Sequence, residues 1–326
     1  MLLLRFLPAF VMAMGLLACG QSSGPSVTTP AQPPAAVIPP VAKKEIGLVM
    51  KTLTNPFFVE MEKGARRAEK DFGLTLKVKT AAQETSIEQQ IQLVDDLVAD
   101  KVAAIVIAPG DSQRLVAALK KAIDAGIKVV NIDNRLDQAA VAQAGLKPIA
   151  FVSVDNEAGA YKAGKFLAEG IVTPTQAGML EGIRSADNAQ QRARGATRAL
   201  LENQHITIVA SESANWKIDE GYAATKAMFE KFPDIKLLFA ANDMMAIGAA
   251  KYLQESGKTQ VKLAGFDALR EAIIEIKAGT IAATIDQQAA EQGYQGIALA
   301  NRLIQGDVVP EVTLIDTRLI TQATAL

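Results

Sequence analysis

One cysteine and one histidine occur in 326 residues, and each scarcity closes off a class of chemistry. A single Cys cannot build an internal disulfide framework or a multi-cysteine metal site. A single His argues against His-rich zinc sites and leaves few ways to pair a nucleophile with a base. Charge of one sign is also lacking. The 34 Lys and Arg residues stand against 35 Asp and Glu, so no global field recruits nucleic acid or an anionic membrane. No Gly-x-Gly-x-x-Gly follows a strand run, and there is no Walker A loop and no Gly-x-Ser-x-Gly turn. These absences lean against an enzyme. The length suggests two domains, each able to bury its own core.

What is present begins with an address. Met1 to Gly15 carries Arg5 near its start, and Phe6 to Leu17 is an uncharged apolar run too short for a permanent membrane span. The run closes on Leu16-Leu17-Ala18-Cys19-Gly20, which resembles a bacterial lipoprotein lipobox. That resemblance implies removal of residues 1–18 and acylation of Cys19, giving stable membrane anchoring outside the cytoplasm. Gln21 to Val41 then holds Pro25, Pro30, Pro33, Pro34, Pro39 and Pro40, with no charge before Lys43. Such a stretch stays extended and cannot form a core, so residues 19–43 read as a lipidated Cys and its tether.

From Glu45 short apolar runs alternate with amphipathic stretches. Ile46 to Met50 reads as a buried strand, and Asn55-Pro56 opens a helix, with Asn as cap and Pro at its first position. Phe57, Met61, Ala65, Ala68 and Phe72 share one face of that helix, and Gly73 ends it. A second helix places Ile87, Ile91, Val94 and Val98 on one stripe. Further strand runs occur at residues 104–107, 129–133, 149–154, 177–180, 206–210, 237–240, 261–264 and 281–285. Strands of this length between helices predict an α/β fold, with parallel sheets covered on both faces. So many units fit two Rossmann-like lobes better than one sheet. A weak echo between residues 121–133 and 251–267, each ending in an acid just past a strand, agrees with that division.

Acids and amides gather after these strands: Asp133-Asn134-Arg135, Asp155-Asn156, Asn242-Asp243 and Phe266-Asp267. Asn55 ahead of Phe57-Phe58, Asp187-Asn188, the Arg192/Arg194 pair, Trp216 and Gln287 join them. Carboxylates accept from hydroxyls, Arg donates in a fixed fork, and Asn and Gln do both. Aromatic rings cover the C–H faces of a sugar. Taken singly, Asn and Asp after strands cap the next helix, and Asn242-Asp243 and Asp187-Asn188 would each serve that way. Of Phe57 and Phe58, one must face the core. Convergence on the carboxyl edge of the sheets, where open α/β folds bind ligands, is what favours a site.

Val49 to Phe58 (VMKTLTNPFF) resembles the opening of the periplasmic ribose-binding group, and residues 239–248 (FAANDMMAIG), 264–267 (AGFD) and 281–287 (IAATIDQ) match it in order and spacing. The resemblance covers about residues 45–320. It implies the type I periplasmic binding protein fold: two lobes with parallel sheets joined by a three-strand hinge, closing on a ligand. The expected lobes are 44–154 with 288–315, and 155–287 with 316–326. The implied ligand residues are Lys51, Asn55, Phe57, Phe58, Asp133, Asn134, Asn188, Arg194, Trp216, Asn242, Phe266, Asp267 and Gln287. No cofactor, metal or catalytic residue is implied.

Two departures bear on the ligand. Lys51 stands where the ribose type has a small hydroxyl residue, and could bridge Asp133 or reach the ligand. Asn134-Arg135 replaces an Asp-Arg step, which displaces the guanidinium or sends it to the surface. Ribose and a hexose such as fructose both stay open. The expected function is a monomeric, extracytoplasmic, membrane-anchored protein that captures a monosaccharide and hands it to the permease of an ABC importer. A sugar-sensing receptor component or a binder of another small polar ligand is the alternative. A repressor-type regulator would need a helix-turn-helix where this chain has its spacer.

Overall fold

The computed structural model describes residues 44–325. The leader, Cys19 and the proline-rich spacer lie outside the described residues. The chain first runs β1 (Glu45–Met50), α1 (Pro56–Phe72), β2 (Thr75–Thr80), α2 (Ile87–Ala99), β3 (Ala104–Ile107), α3 (Val116–Asp124), β4 (Lys128–Ile132), α4 (Gln138–Gln143) and β5 (Ala150–Val154). It continues through α5 (Asn156–Ala168), β6 (Thr175–Glu181), α6 (Asp187–Leu201), β7 (Ile206–Ser213), α7 (Ile218–Lys231), β8 (Ile235–Ala240), α8 (Asp243–Glu255), β9 (Lys262–Ala264), α9 (Arg270–Ala278) and β10 (Ala283–Asp286). The last elements are α10 (Ala289–Gln305), β11 (Val312–Ile315) and β12 (Arg318–Thr321).

These strands form two six-stranded sheets, ordered β11-β5-β4-β3-β1-β2 and β12-β10-β9-β8-β6-β7. Every neighbouring pair is parallel except β10 with β12. The chain passes between the sheets three times. It leaves after β5, and α5 packs on α6; it returns after β10, and α10 packs on α1 and β4; it crosses again between β11 and β12. Type I two-lobe architecture is therefore realised, as the alternation of strands and helices implied.

Alternation along each strand builds two cores from near-continuous apolar runs. In the first sheet Leu48, Val106 and Ile132 join Met61 and Ala65 of α1 and Ile297 of α10. Their neighbours Val49, Ile105 and Ile107 face the other way, against Val94 and Leu97 of α2 and Leu119 of α3. Fully burying each such side chain stabilises the fold by about 1.5–3 kcal/mol.

Helix α1 starts as its sequence indicates. The Asn55 side chain accepts from the Phe57 amide at 3.1 Å, Pro56 begins the helix, and Gly73 ends it at φ 64°. Three local readings change. The buried stripe of α2 is Ile87, Gln90, Val94 and Leu97, with Ile91 and Val98 half-buried. Gln90 is drawn inward because its amide donates to Ala108 O at 2.9 Å and accepts from Gly110 N at 2.8 Å. Phe72, in the last turn of α1, is exposed and leans on Tyr294 instead of entering the core. The short helix α4, six residues capped by Asp137 through the Ala140 amide, buries Val141 alone and is too short to show a helical period in sequence.

Candidate functional site

The carboxyl ends of both sheets face one cavity. Lys51 follows β1, Glu84 lies between β2 and α2, and Asp133 follows β4; across from them Trp216 follows β7, Asn242 follows β8, Asp267 follows β9 and Gln287 follows β10. With Asn55, Phe57, Phe58, Asn188 and Arg192 they line a cavity of about 20 Å³. That is room for about one water in the shape described, so any larger occupant needs the walls to part.

The first sheet's wall is an ionic cluster. Lys51 Nζ lies 2.8 Å from Asp133 Oδ2 and 4.0 Å from Glu84 Oε2, with all three side chains buried. Asn55 Nδ2 donates to Glu84 Oε1 at 2.9 Å, so the helix cap also fixes this acid. Burial pushes the Glu84 carboxyl above its ordinary range, opposed chiefly by the Lys51 charge. Phe57 and Phe58 meet edge to face with ring centres 5.1 Å apart, and Lys51 Nζ sits 5.5 Å from the Phe58 ring centre. Both rings are buried, both belong to the hydrophobic core and both line the cavity.

The second wall is organised by Arg192. Its Nε donates to Asn156 Oδ1 at 2.8 Å, one terminal nitrogen donates to Ala241 O at 2.9 Å, and that nitrogen lies 3.5 Å from Asp267 Oδ1. The guanidinium rests 3.8 Å from the Phe266 ring centre and 5.6 Å from that of Trp216. Burial drives Asp267 well above its usual range; Arg192 opposes this, and nearby Asp243 adds to it. Asp243 itself is pushed up from 3.8 to about 6 by burial, while Thr284 and the Leu269 amide hydrogen-bond its carboxylate. Gln287 donates to Asp267 at 2.5 Å and Asn242 caps α8 through the Met245 amide at 2.9 Å.

Three polar atoms of the cavity-lining residues lack a hydrogen-bond partner among the described residues: Asp133 Oδ2, Asn188 Oδ1 and Trp216 Nε1. Asp133 Oδ2 is ion-paired with Lys51 but outside hydrogen-bonding angles. Asn188 Oδ1 and Trp216 Nε1, an acceptor and a donor on residues that line the same cavity, are thus left unpaired, at a cost of about 1–3 kcal/mol each. Strain collects here as well. Asp133, Trp216 and Asp267 all hold positive φ, at 62°, 67° and 125°. Non-glycine residues in such conformations cost about 1–3 kcal/mol each and persist where the surroundings over-determine them. The indole lies so close to Gly182 that a Cβ there would overlap its ring.

The two lobes also touch directly beside the cavity. Ser112 N donates to Ser185 O at 3.4 Å, Ser112 Oγ accepts from Asp187 N at 3.0 Å, and Asn134 Oδ1 accepts from Asn188 N at 3.1 Å. Asn188 Nδ2 reaches Asp133 Oδ1 at 3.4 Å.

Ten of the thirteen expected ligand residues line the cavity, and three do not. Arg194 is on the surface, paired with Glu157 at 3.2 Å. Arg192 takes the inward place because it lies one helical turn beyond Asn188, on the face of α6 that carries Ala189, Gly195, Ala196 and Ala199. Asn134 spends its side chain on Pro109 O, Ser112 and the Asn188 amide, so it faces the lobe contact and not the cavity. Phe266 lies wholly buried beneath the Arg192 guanidinium, supporting it from behind. Asp187-Asn188 does not cap α6, whose N-cap residue is Ala186. Glu84 is the acid that sequence reasoning missed, since nothing local marks a loop Glu before a helix as inward-facing. Arg135, displaced as anticipated, stacks over Phe151 with its guanidinium 5.3 Å from the ring centre. Among the described residues no group of His, Cys, Asp or Glu could hold a metal ion, and no helix is long and apolar enough to cross a membrane.

Comparison with known proteins shows the family. A family model described as a periplasmic binding protein domain matches residues 46–307. The D-ribose/D-allose-binding protein of Pseudomonas aeruginosa is 41% identical over 267 residues, covering 81% of this chain and 83% of that one. The D-allose-binding periplasmic protein of Escherichia coli is 32% identical over 86% of this chain and 93% of its own. Among solved structures, an ABC transporter periplasmic solute binding protein from Actinobacillus succinogenes with bound D-allose superposes with a TM-score of 0.82 at 38% identity, covering 87% of this chain and 99% of that one.

Proposed function

Because the chain belongs to the periplasmic binding protein domain family, we propose that it captures a neutral monosaccharide between its lobes and delivers it to an ABC importer. The observation that carries this reading is the buried cavity at the carboxyl ends of both sheets, lined by the Lys51–Asp133 and Arg192–Asp267 pairs and by Asn188 and Trp216, whose Oδ1 and Nε1 lack hydrogen-bond partners among the described residues. A hydroxyl both donates and accepts, so a polyol ring can satisfy acceptors and donor together. A neutral ligand is favoured over an anionic one because neither cation of the walls is free: Lys51 lies beside Asp133 and Glu84, and Arg192 beside Asp267. Phe57, Phe58 and Trp216 supply apolar faces for the ring's C–H groups.

In this proposal the lobes are residues 44–154 with 288–315, and 155–287 with 316–326. Asn55, Asn242 and Gln287 fix ligand-facing polar groups, and closure about the three crossings sequesters the sugar. Acylated Cys19 and the spacer of residues 19–43 tether the body to a membrane outside the cytoplasm. The protein returns its ligand unchanged and is not an enzyme. D-allose and D-ribose head the candidates, since the similar proteins named above bind them.

A thermal-shift panel of pentoses and hexoses tests the reading. At a hundredfold excess over Kd a ligand stabilises its folded protein by about 2.7 kcal/mol, which moves the midpoint clearly. A shift with D-allose or D-ribose is expected; no shift with any sugar would overturn it.

A further inference from the structure

Helix α6 begins without a cap of its own. Ala186 occupies the N-cap position, and Ala has no side-chain acceptor for the first free amides. Those amides are not left bare. Asp187 N donates to Ser112 Oγ at 3.0 Å and Asn188 N donates to Asn134 Oδ1 at 3.1 Å. Both acceptors belong to loops after strands of the other sheet, Ser112 following β3 and Asn134 following β4. Asn134 Nδ2 is held by Pro109 O at 3.0 Å and by Ser112 Oγ at 3.2 Å, so the two acceptors are aligned before α6 arrives. The Ser112 amide adds a bond to Ser185 O at 3.4 Å.

We infer that Ser112 and Asn134 form an interlobe clasp that caps helix α6 in trans when the lobes close. The clasp sets how long a ligand stays bound without touching it. Neither residue lines the cavity, yet both stand beside residues that do, Asn134 next to Asp133 and their partner amide on Asn188. The clasp bonds join residues of different lobes, so they exist only in the closed shape. Their loss therefore acts on opening and leaves each separate lobe intact. The inference rests on the capture reading above, because it takes closure as the step that holds the sugar.

The test is stopped-flow fluorescence of Trp216, the only tryptophan in the chain, with D-allose and D-ribose as probes. Ser112→Ala removes the hydroxyl and should raise the dissociation rate about fivefold, the factor that one ordinary net hydrogen bond supplies. The association rate should stay within about twofold, and the unliganded melting midpoint should move by no more than the few degrees that the Ser112 Oγ–Asn134 bond inside the lobe accounts for. An unchanged dissociation rate, or a larger fall in the unliganded midpoint, would overturn the clasp. If the wild type binds neither sugar, the monosaccharide reading fails by itself. The clasp is then read by small-angle scattering of the unliganded full chain. A larger radius of gyration in Ser112→Ala than in wild type supports it, and superimposable profiles overturn it.

Discussion

Lys51 Nζ lies 2.8 Å from Asp133 Oδ2, and each side chain is at most 3% exposed. This ion pair fixes the charge of the first lobe's wall, with Glu84 as a second acid 4.0 Å from the same ammonium. Removing the cation alone strands two carboxylates away from water. Lys51→Met is expected to lower the unfolding free energy by about 3–5 kcal/mol, as breaking a buried pair does. Adding Glu84→Gln should return part of that loss, because one uncompensated charge is then gone. Urea denaturation of the two variants checks this; a cost under about 1 kcal/mol for Lys51→Met contradicts the cluster.

The two arginines of α6 should separate cleanly. Arg194→Ala breaks an exposed pair with Glu157, of a kind worth about 0–1 kcal/mol, and should change sugar affinity by less than about twofold. Arg192→Lys keeps the charge but loses the fork that joins Asn156, Ala241 and Asp267, and should weaken binding by about tenfold or more. Calorimetric titration of both variants with D-allose decides between the positions.

Gly182 is where backbone must make room for the indole. Gly182→Ala forces Trp216 out of its place, costing about 1–3 kcal/mol in overpacking and displacing the donor Nε1 from the cavity. The expected signature is a changed Trp emission maximum together with about a tenfold loss of affinity. Unchanged emission contradicts the packing.

Asp243 gives the stability a pH dependence of definite sign. Burial raises its pKa from 3.8 to about 6, so the folded state favours the protonated acid. Its favourable contribution is complete below about pH 4 and is lost as pH rises through about 6. Asp243→Asn cannot titrate. The unfolding free energy of wild type minus that of the variant should therefore fall by about 3 kcal/mol between pH 3.5 and pH 7. A difference that rises over that range contradicts the assignment.

Most of the architecture was legible because its signals are local. Asn55-Pro56 and Gly73 bound α1 by capping chemistry alone, and uninterrupted apolar runs such as residues 46–50 demand sheets buried on both faces. Asp133, Asn242 and Asp267, directly after strands, were legible by that position, while Lys51 entered only through the resemblance. What escaped depends on distance in sequence. Glu84 points inward because Asn55 and Lys51 hold it across 29 and 33 residues, which no local pattern carries. Choosing Arg192 over Arg194 needed the phase of α6, available only by counting one turn from Asn188. Asn134 looked like a ligand residue by its position after β4, yet its partner is an amide 54 residues away.

The central claim is that one sugar molecule occupies the space between Asp133, Asn188 and Trp216. Isothermal titration of the full chain with D-allose, D-ribose and D-fructose tests it most directly. The account predicts saturable heat with a stoichiometry of about one for at least one of them, with affinity about tenfold or more weaker in Arg192→Lys and within about twofold of wild type in Arg194→Ala. No heat with any of the three, or equal affinity in both arginine variants, would contradict it.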